Sequence, residues 1–450
     1  MIIHATAWFL IPIYTLKRLE MNRPLREVDP EVHSLIKQEY DRVMSTVQLI
    51  ASENFPTRAV IEATGAPLQH KYAEGFPYAR RKKADYVREW DRDGRYYEGN
   101  QIMDQVERLA IERAQELFGA EYACVQLFSG APANECVYYA FLERGDHVMA
   151  MDLANGGHLT HGSPVNFSGQ RYTFMPYGVN IEDGIINYDK LASDAKEFQP
   201  KLIVAGATAY PRQVDFAKFR EICDSVGALL LVDMSHFAGL VAGKAHPTPV
   251  GIADVVSTTT HKTLRGPRGA LILAGEDRGR DIDRAVFPGI QAGPHLNEIA
   301  AKAVCFQLCM QPEFREYAQK VVDNARFLGD EMIKQGFKLV SDGTDTHLLL
   351  VDLKDRSYSG NKAAKALIKA GICCNRNMVP GDERPPMQTS GIRLGSPFMT
   401  TLGFGEDEFS KVAEWIKRVL DDIKNDEEIA KVKSEINEVC SHFEHPEFLL

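Results

Sequence analysis

The 450-residue sequence predicts an α/β fold with a large domain on a mostly parallel sheet and a smaller α+β domain at the carboxyl end. Two observations predict it. From about residue 100 to 310, short apolar runs alternate with helical periodicity, as in buried parallel strands and their crossover helices. Beyond that, a long helix precedes strands and helices in mixed order. We expect an N-terminal extension and arm over residues 1–60, a large domain over 61–311 and a small domain over 312–450.

The elements follow in chain order. Asp29 and Pro30 begin an amphipathic helix that runs to about residue 46, with proline at the first helical position. In the large domain the pattern predicts helices at 102–117, 133–142 and 216–226, and strands at 122–127, 147–151, 201–205, 228–233 and 253–257. In the small domain it predicts helices at 312–335, 361–370, 407–424 and 426–440, and strands at 337–340, 347–352 and 391–394. The last helix is mostly polar, so we expect it on the surface.

Composition narrows the class of protein. A hydrophobic content of 44% and a charged content of 25% are typical of a globular protein in water, and a net charge of −10 does not favour nucleic acid as a partner. The eight cysteines show no metal-site or disulfide spacing, which predicts reduced thiols in a cytoplasmic protein. The apolar residues 1–16 contain Pro12 and are short for a membrane span, so we expect no membrane association. They are either an extension upstream of a start at Met21 or an ordered arm.

Residues 257–269 carry the strongest chemical pattern. They place Lys262 between a run of threonines and a turn of glycine, proline and arginine, directly after a predicted strand. A lysine that a strand end delivers into a tight polar loop is suited to act as a nucleophile and to hold pyridoxal phosphate as a Schiff base. A surface lysine in a turn is the alternative. Partner residues elsewhere in the sequence favour the nucleophile.

Two segments provide partners for such a cofactor. Asp233 ends a predicted strand, where its carboxylate can pair with the pyridine nitrogen, although a helix-capping role is the alternative. His236 follows three residues later, near the expected ring hydroxyl or substrate carboxylate. Ser129, Gly130 and Ala131 join a strand to a helix, and the N–H groups of that helix start can bind phosphate.

Three further positions complete the set. His158 lies in a glycine-rich loop and can stack on the pyridine ring; a zinc site with His161 is the alternative, but no third ligand is near in sequence. Arg393 lies inside a short apolar strand, where burial is costly unless an anion or an internal salt bridge meets it, and a carboxylate clamp is its natural use. Glu74, with the phenol of Tyr97, is suited to acid/base work on a hydroxymethyl group, with surface loop residues as the alternative.

From about residue 41 to residue 404 the sequence resembles the serine hydroxymethyltransferase family. The resemblance rests on residues 49–54, 71–75, 156–166, 232–234, 236–240, 257–269 and 390–393. It implies a fold-type I pyridoxal phosphate enzyme that interconverts serine and glycine with tetrahydrofolate and 5,10-methylenetetrahydrofolate. It also implies a homodimer or a dimer of dimers whose active sites are shared between subunits.

The resemblance also implies residue roles. Lys262 forms the Schiff base, Asp233 pairs with the pyridine nitrogen, His158 stacks on the ring, Arg393 binds the substrate carboxylate, and Glu74 is the acid/base. The remaining implied positions are Thr259 and His261 beside the lysine; Ser129, Gly130 and Ala131 at the phosphate; Ser52, Thr208 and His236 on the substrate side; Leu153, Gly157, Leu159 and Asn377 at the folate; and Tyr72, Tyr97 and Gly293, which together with Glu74 reach the neighbouring subunit's site.

The sequence departs from the family pattern in three places. Residues 79–93 form an insertion, Ala131 and Pro132 replace a serine and a glutamine, and Phe128 and Asn155 replace histidines. These departures keep a second function open, namely an α-methylserine hydroxymethyltransferase or a folate-independent threonine aldolase or transaldolase. The basic cluster at 80–83 either contacts an anionic substrate or is a solvated loop. A non-catalytic paralogue is the third possibility, and the intact lysine, aspartate, histidine and arginine argue against it.

Overall fold

The protein is described by a computed structural model over residues 22–80, 88–90 and 94–444. Its strands are β1 (Val47–Gln48), β2 (Gly75–Phe76), β3 (Ala79–Arg80), β4 (Arg88–Glu89), β5 (Gly94–Arg95), β6 (Tyr122–Cys124), β7 (His147–Met151), β8 (Thr173–Tyr177), β9 (Leu202–Ala205), β10 (Leu229–Asp233), β11 (Val255–Thr259), β12 (Ala270–Ala274), β13 (Lys338–Leu339), β14 (Leu348–Asp352), β15 (Ile372–Cys373), β16 (Asn375–Asn377) and β17 (Gly391–Gly395). Its helices are α1 (Leu25–Val28), α2 (Pro30–Met44), α3 (Arg58–Thr64), α4 (Gln101–Phe118), α5 (Gly130–Phe141), α6 (Phe167–Arg171), α7 (Tyr188–Phe198), α8 (Phe216–Val226), α9 (Ala238–Ala242), α10 (Glu276–Arg284), α11 (Leu296–Cys309), α12 (Pro312–Lys334), α13 (Gly360–Lys369), α14 (Pro397–Thr401), α15 (Glu406–Asp421) and α16 (Asp426–Cys440).

A seven-stranded sheet forms the centre of the larger lobe, in the order β6-β12-β11-β10-β9-β7-β8. Within it, β12 pairs antiparallel with both of its neighbours and the other pairs are parallel, which confirms the predicted α/β fold with a mostly parallel sheet. The central strands are buried along almost their whole length, so their sequences are continuous apolar runs. Asp233 at the end of β10 is in register with Ser257 of β11. The carboxyl ends of these two strands therefore meet at one edge of the sheet.

A four-stranded antiparallel sheet, in the order β13-β14-β17-β16, forms the centre of the smaller lobe. Next to it, β1 pairs in parallel with β15, with Val47 opposite Ile372. Helix α16, which the sequence predicts as a polar surface helix, packs Ile429, Val432 and Ile436 into the core of this lobe. Only the outer face of this helix is polar, and the prediction of a surface helix holds for that face alone.

Two hydrophobic cores correspond to the two lobes. The first extends from Val60 to Val322, and the second combines Val47 and Leu49 with residues 328–440. Helix α12 contributes to both, through its first half in the larger lobe and its second half in the smaller one. The predicted domain boundaries stay a prediction, while residues 47 and 49, which the sequence assigns to the arm, are part of the second core. Over the described ranges, no helix is both long and apolar enough to cross a bilayer.

The inserted segment is partly described. Strand β2 pairs with β5, and β3 pairs with β4 within the insertion. Arg88 makes an ion pair of 2.7 Å with Glu276, and the ring of Trp90 lies edge-on to Tyr78 with centroids 5.1 Å apart. These contacts attach the described part of the insertion to the larger lobe. The side chains of the basic cluster at 80–83, like residues 1–21, lie outside the described part of the chain.

Candidate active site

A cavity of about 430 Å³ lies at the carboxyl ends of β10 and β11. It brings together most of the predicted site, namely Ser52, Ser129, Gly130, Ala131, His158, Thr208, Asp233, His236, Thr259, His261, Lys262 and Arg393. The sequence did not predict five further residues of its wall, namely Glu53, His161, Ala207, Ser235 and Arg268.

Lys262 is half-buried in this cavity, three residues beyond the end of β11. Burial lowers the pKa of its ammonium to about 8, with the nearby cations Arg393 and Arg268 adding to the effect and Asp233 opposing it. The backbone is fixed by Asn54, whose Nδ2 donates to the Lys262 carbonyl at 3.1 Å. The amine is therefore poised to lose its proton far more readily than an exposed lysine.

Asp233 presents a buried carboxylate to the same cavity. Its Oδ2 accepts from Asn134 Nδ2 at 2.9 Å and lies 3.4 Å from His161 Nε2, while Oδ1 accepts from the Ser235 N–H at 3.1 Å. Burial by itself would raise the pKa of this carboxyl, but the contacts with His161, His158 and Ser235 hold it well below its usual range. Asp233 is therefore ionised and surrounded by polar groups that stabilise its negative charge.

A chain of hydrogen bonds connects this carboxylate to His158. Asn134 Nδ2 also donates to Thr160 Oγ1 at 2.9 Å, and Thr160 Oγ1 lies 2.8 Å from His158 Nδ1. Ser257 Oγ donates to Asn134 Oδ1 at 2.6 Å. Burial lowers the pKa of His158 to about 4, so its ring is neutral near pH 7. The chain holds a flat, uncharged ring in a fixed orientation beside Asp233.

The glycine-rich loop needs its glycines for this placement. Gly156 has φ +107°, and a Cβ at Gly157 would lie 2.0 Å from the Met151 carbonyl oxygen. Thr208 N donates to the Gly156 carbonyl at 2.7 Å. The loop is thus held close to the segment after β9. Among the described residues, no group of three or more His, Cys, Asp or Glu side chains could hold a metal ion.

The start of helix α5 forms another wall of the cavity. Ser129 is its N-cap, and the Ser129 side chain makes no capping hydrogen bond, so the first N–H groups of the helix are not capped from within. A Cβ at Gly130 would lie 2.8 Å from Thr259 Cγ2, so a glycine is needed there for close approach. The N-terminus of this 12-residue helix can receive an anion.

Arg393 is a buried cation on β17 of the smaller lobe. Its Nε donates to Asn375 Oδ1 at 3.0 Å and its Nη1 to the Thr208 carbonyl at 2.6 Å. Burial lowers the pKa of the guanidinium to about 10. It has no ion pair with a carboxylate in the described part of the chain, although it is only 8% exposed. A guanidinium in this setting is suited to bind an anion that enters the cavity.

The other predicted residues lie outside the cavity wall. Tyr72 and Tyr97 are exposed, with Tyr72 61% exposed and the two ring centroids 5.2 Å apart, and Glu74 is half-buried. Leu153 and Leu159 are exposed leucines of the loop that carries His158. The cavity wall also does not include Gly157, Gly293 or Asn377.

The donor set of the cavity fits pyridoxal phosphate. It offers an amine of lowered pKa, an ionised carboxylate, a flat neutral ring, an uncapped helix start and a buried guanidinium. Each matches one part of the cofactor or of an amino acid bound to it. The fold and this site define a fold-type I pyridoxal phosphate enzyme, a transferase.

A comparison with protein families identifies the family. The family model described as serine hydroxymethyltransferase matches residues 25–416 of the chain. The chain belongs to the serine hydroxymethyltransferase family, whose members depend on pyridoxal phosphate, use folate and act on serine and glycine in one-carbon metabolism.

Proposed function

We propose that the protein is a serine hydroxymethyltransferase that interconverts serine and glycine with tetrahydrofolate and 5,10-methylenetetrahydrofolate. The observation that carries the proposal is the convergence of Lys262, Asp233 and Arg393 in one cavity, each with its charge set by burial or by hydrogen bonds. Bound pyridoxal phosphate supplies an electron sink for negative charge at the substrate α-carbon.

Each residue of the cavity has its own role in binding or orienting the cofactor and the amino acid. Lys262 provides the amine that holds the cofactor, and Asp233 keeps a proton on the pyridine nitrogen. His158 packs its neutral ring against the pyridine ring. The start of α5, with Ser129 and the backbone of the next two residues, binds the phosphate. Arg393 fixes the carboxylate of the amino acid, which orients the bond to be broken.

The position of Tyr72, Glu74 and Tyr97 supports a homodimer, or a dimer of dimers, with shared active sites. The two tyrosines are exposed and Glu74 is half-buried, and all three lie outside the cavity of their own subunit. A second, more apolar groove of about 740 Å³ adjoins the cavity and shares four residues with it, namely Ser52, Glu53, His261 and Arg268. We assign this groove to the partner subunit, whose Glu74 moves a proton at the serine hydroxyl or at the folate.

The remaining assignments follow from the same proposal. Gly293 contacts the phosphate in the partner subunit's site. The folate lies against Leu153, Gly157, Leu159 and Asn377. The eight cysteines are free thiols, which supports a cytoplasmic location, where thiols are kept reduced.

A substrate panel tests this function. We expect serine cleavage that requires tetrahydrofolate, with little activity on α-methylserine or threonine, and loss of both activity and visible colour in Lys262→Ala. Glu74→Gln is the matched control because it should lose activity while it keeps the colour of the bound cofactor. Folate-independent cleavage of threonine, or a preference for α-methylserine, would instead assign the protein to a relative with altered substrate.

A further inference from the structure

A pair of buried histidines connects the smaller lobe to the wall of the cavity. His236 follows β10, and His347 directly precedes β14. His236 Nδ1 lies 3.2 Å from His347 Nε2, and the two rings are inclined by only 28° with centroids 5.4 Å apart. His236 is 3% and His347 is 1% exposed. His236 lines the cavity, and the family resemblance implies a position for it on the substrate side, whereas His347 has no role in the proposed function.

The number of protons in the pair is limited by its surroundings. Burial lowers the pKa of both histidines, that of His347 to about 3, and Lys262 and Arg393 lower both pKa values further. His158 lowers the pKa of His236 further and His246 that of His347, and no carboxylate in the described part of the chain is a main cause of either shift. Both rings are therefore neutral, and a single proton lies between the two facing nitrogens.

The other nitrogen of His347 decides which ring donates that proton. His347 Nδ1 is buried and has no hydrogen-bond partner among the described residues. If His236 donated, this nitrogen would carry an N–H without an acceptor, which is rare in protein interiors, whereas an unpaired lone pair is tolerated more often. The less costly arrangement has His347 Nε2 donating to His236 Nδ1. His236 then carries its own proton on Nε2, the ring nitrogen left for the cavity.

We propose that His347 is a positioning residue that fixes His236 as the Nε2-protonated tautomer, so that His236 presents an N–H donor to an anionic oxygen in the cavity. This inference rests on the proposed function for the identity of that oxygen, which belongs to the cofactor or to the amino-acid carboxylate. The opposite tautomer would present a lone pair, which repels an anion. The backbone of His236 is fixed as well, because its carbonyl accepts from Thr263 Oγ1 at 2.9 Å.

The tautomer is measurable without turnover. Solid-state NMR of the protein labelled with ¹⁵N in its histidine rings distinguishes protonated from unprotonated nitrogens, and the signals lost in His236→Gln identify His236 among the 13 histidines. We expect an unprotonated Nδ1 and a protonated Nε2 for His236 near pH 7. The reverse pattern would overturn the proposal, whether or not the enzyme acts on serine, so failure here is separate from failure of the proposed function.

Paired variants separate the hydrogen bond from packing. In His347→Met no donor remains, and we expect weaker glycine binding by about tenfold, the factor that one hydrogen bond to a charged group carries. In His347→Gln the carboxamide N–H₂ can donate to His236, and we expect affinity within about threefold of the wild type. His246→Gln controls for a buried histidine nearby, since the His246 ring stacks on Phe237.

The outcomes are distinct. Glycine affinity that follows the order wild type, Gln variant, Met variant, with similar losses of melting temperature in the two variants, supports the positioning role. Equal affinity losses in His347→Met, His347→Gln and His246→Gln would show that His347 only fills space, and would overturn the proposal.

Discussion

Arg95 is the buried charge that holds the loop on which Glu74 lies. Its side chain is fully buried; Nε donates to Asp104 at 2.9 Å and Nη2 to Glu107 at 2.6 Å. Its Nη1 donates to the carbonyls of Ala73 and Gly75, at 2.8 and 3.0 Å, on either side of Glu74. Arg95→Met removes all of these donors and leaves Glu107, which is 1% exposed, without its cation.

The expected cost follows from this geometry. Removal of one partner from a buried ion pair destabilises a protein by about 3–5 kcal/mol, since the other charge stays buried. Lys190→Met is the control, because the Lys190–Asp194 pair lies on one helix with the lysine 69% exposed, and such pairs contribute under about 1 kcal/mol. The unfolding entropy of a 450-residue chain is about 0.9 kcal/mol/K. We therefore expect Arg95→Met to lower the melting temperature by roughly 3–5 °C and Lys190→Met by about 1 °C at most.

Scanning calorimetry of the cofactor-free proteins measures both shifts, and serine cleavage by the reloaded proteins reports on Glu74. Arg95→Lys keeps the charge but loses the fork of donors, so an intermediate melting temperature is expected. If Arg95→Met melted within about one degree of Lys190→Met, a difference of under about 1 kcal/mol for a chain of this length, the buried network would not stabilise the loop.

Two further predictions concern the cavity. The neutral amine of Lys262 captures the cofactor, and burial lowers the pKa of this amine to about 8. Uptake of pyridoxal phosphate by the cofactor-free protein should therefore accelerate with rising pH up to about 8 and then level off. Stopped-flow absorbance measures the rate of uptake, and a rate that still rises tenfold per pH unit above about pH 9 would contradict this prediction. Asn134→Leu leaves Asp233 and the Ser257 hydroxyl without their shared amide, so cofactor affinity should fall about tenfold; equilibrium dialysis measures it, and unchanged affinity would contradict it.

The central strands were predictable because burial on both faces leaves a continuous apolar run, as in β9 and β10. Strand β12 and helix α11 were not predicted from the sequence. The run of β12 is just as apolar, but it follows a Gly/Pro turn within the lysine segment and runs antiparallel, and an alternating parallel pattern does not anticipate that direction. Helix α16 was predicted at its observed bounds, but its buried face was missed because its overall polarity outweighed the helical spacing of Ile429, Val432 and Ile436.

Site residues that end strands or break an apolar pattern were accessible to sequence reasoning, as Asp233 and Arg393 show. Asn134 and His347 were not, because their roles depend on partners that are distant in sequence. Asn134 lies inside a helix, where an asparagine usually indicates solvent exposure, and its amide meets Asp233 99 residues away. Only the folded chain brings such groups within hydrogen-bonding distance.

Helix α12 has a consequence for the resistance of the whole chain to unfolding. Phe314 and Val321 in its first half pack in one core, and Leu328 and Met332 in its second half pack in the other. Loss of either core would strip half of this helix of its contacts and weaken the remaining half. A destabilising substitution in the core of one lobe should therefore also destabilise the other lobe, so that the two lobes unfold together.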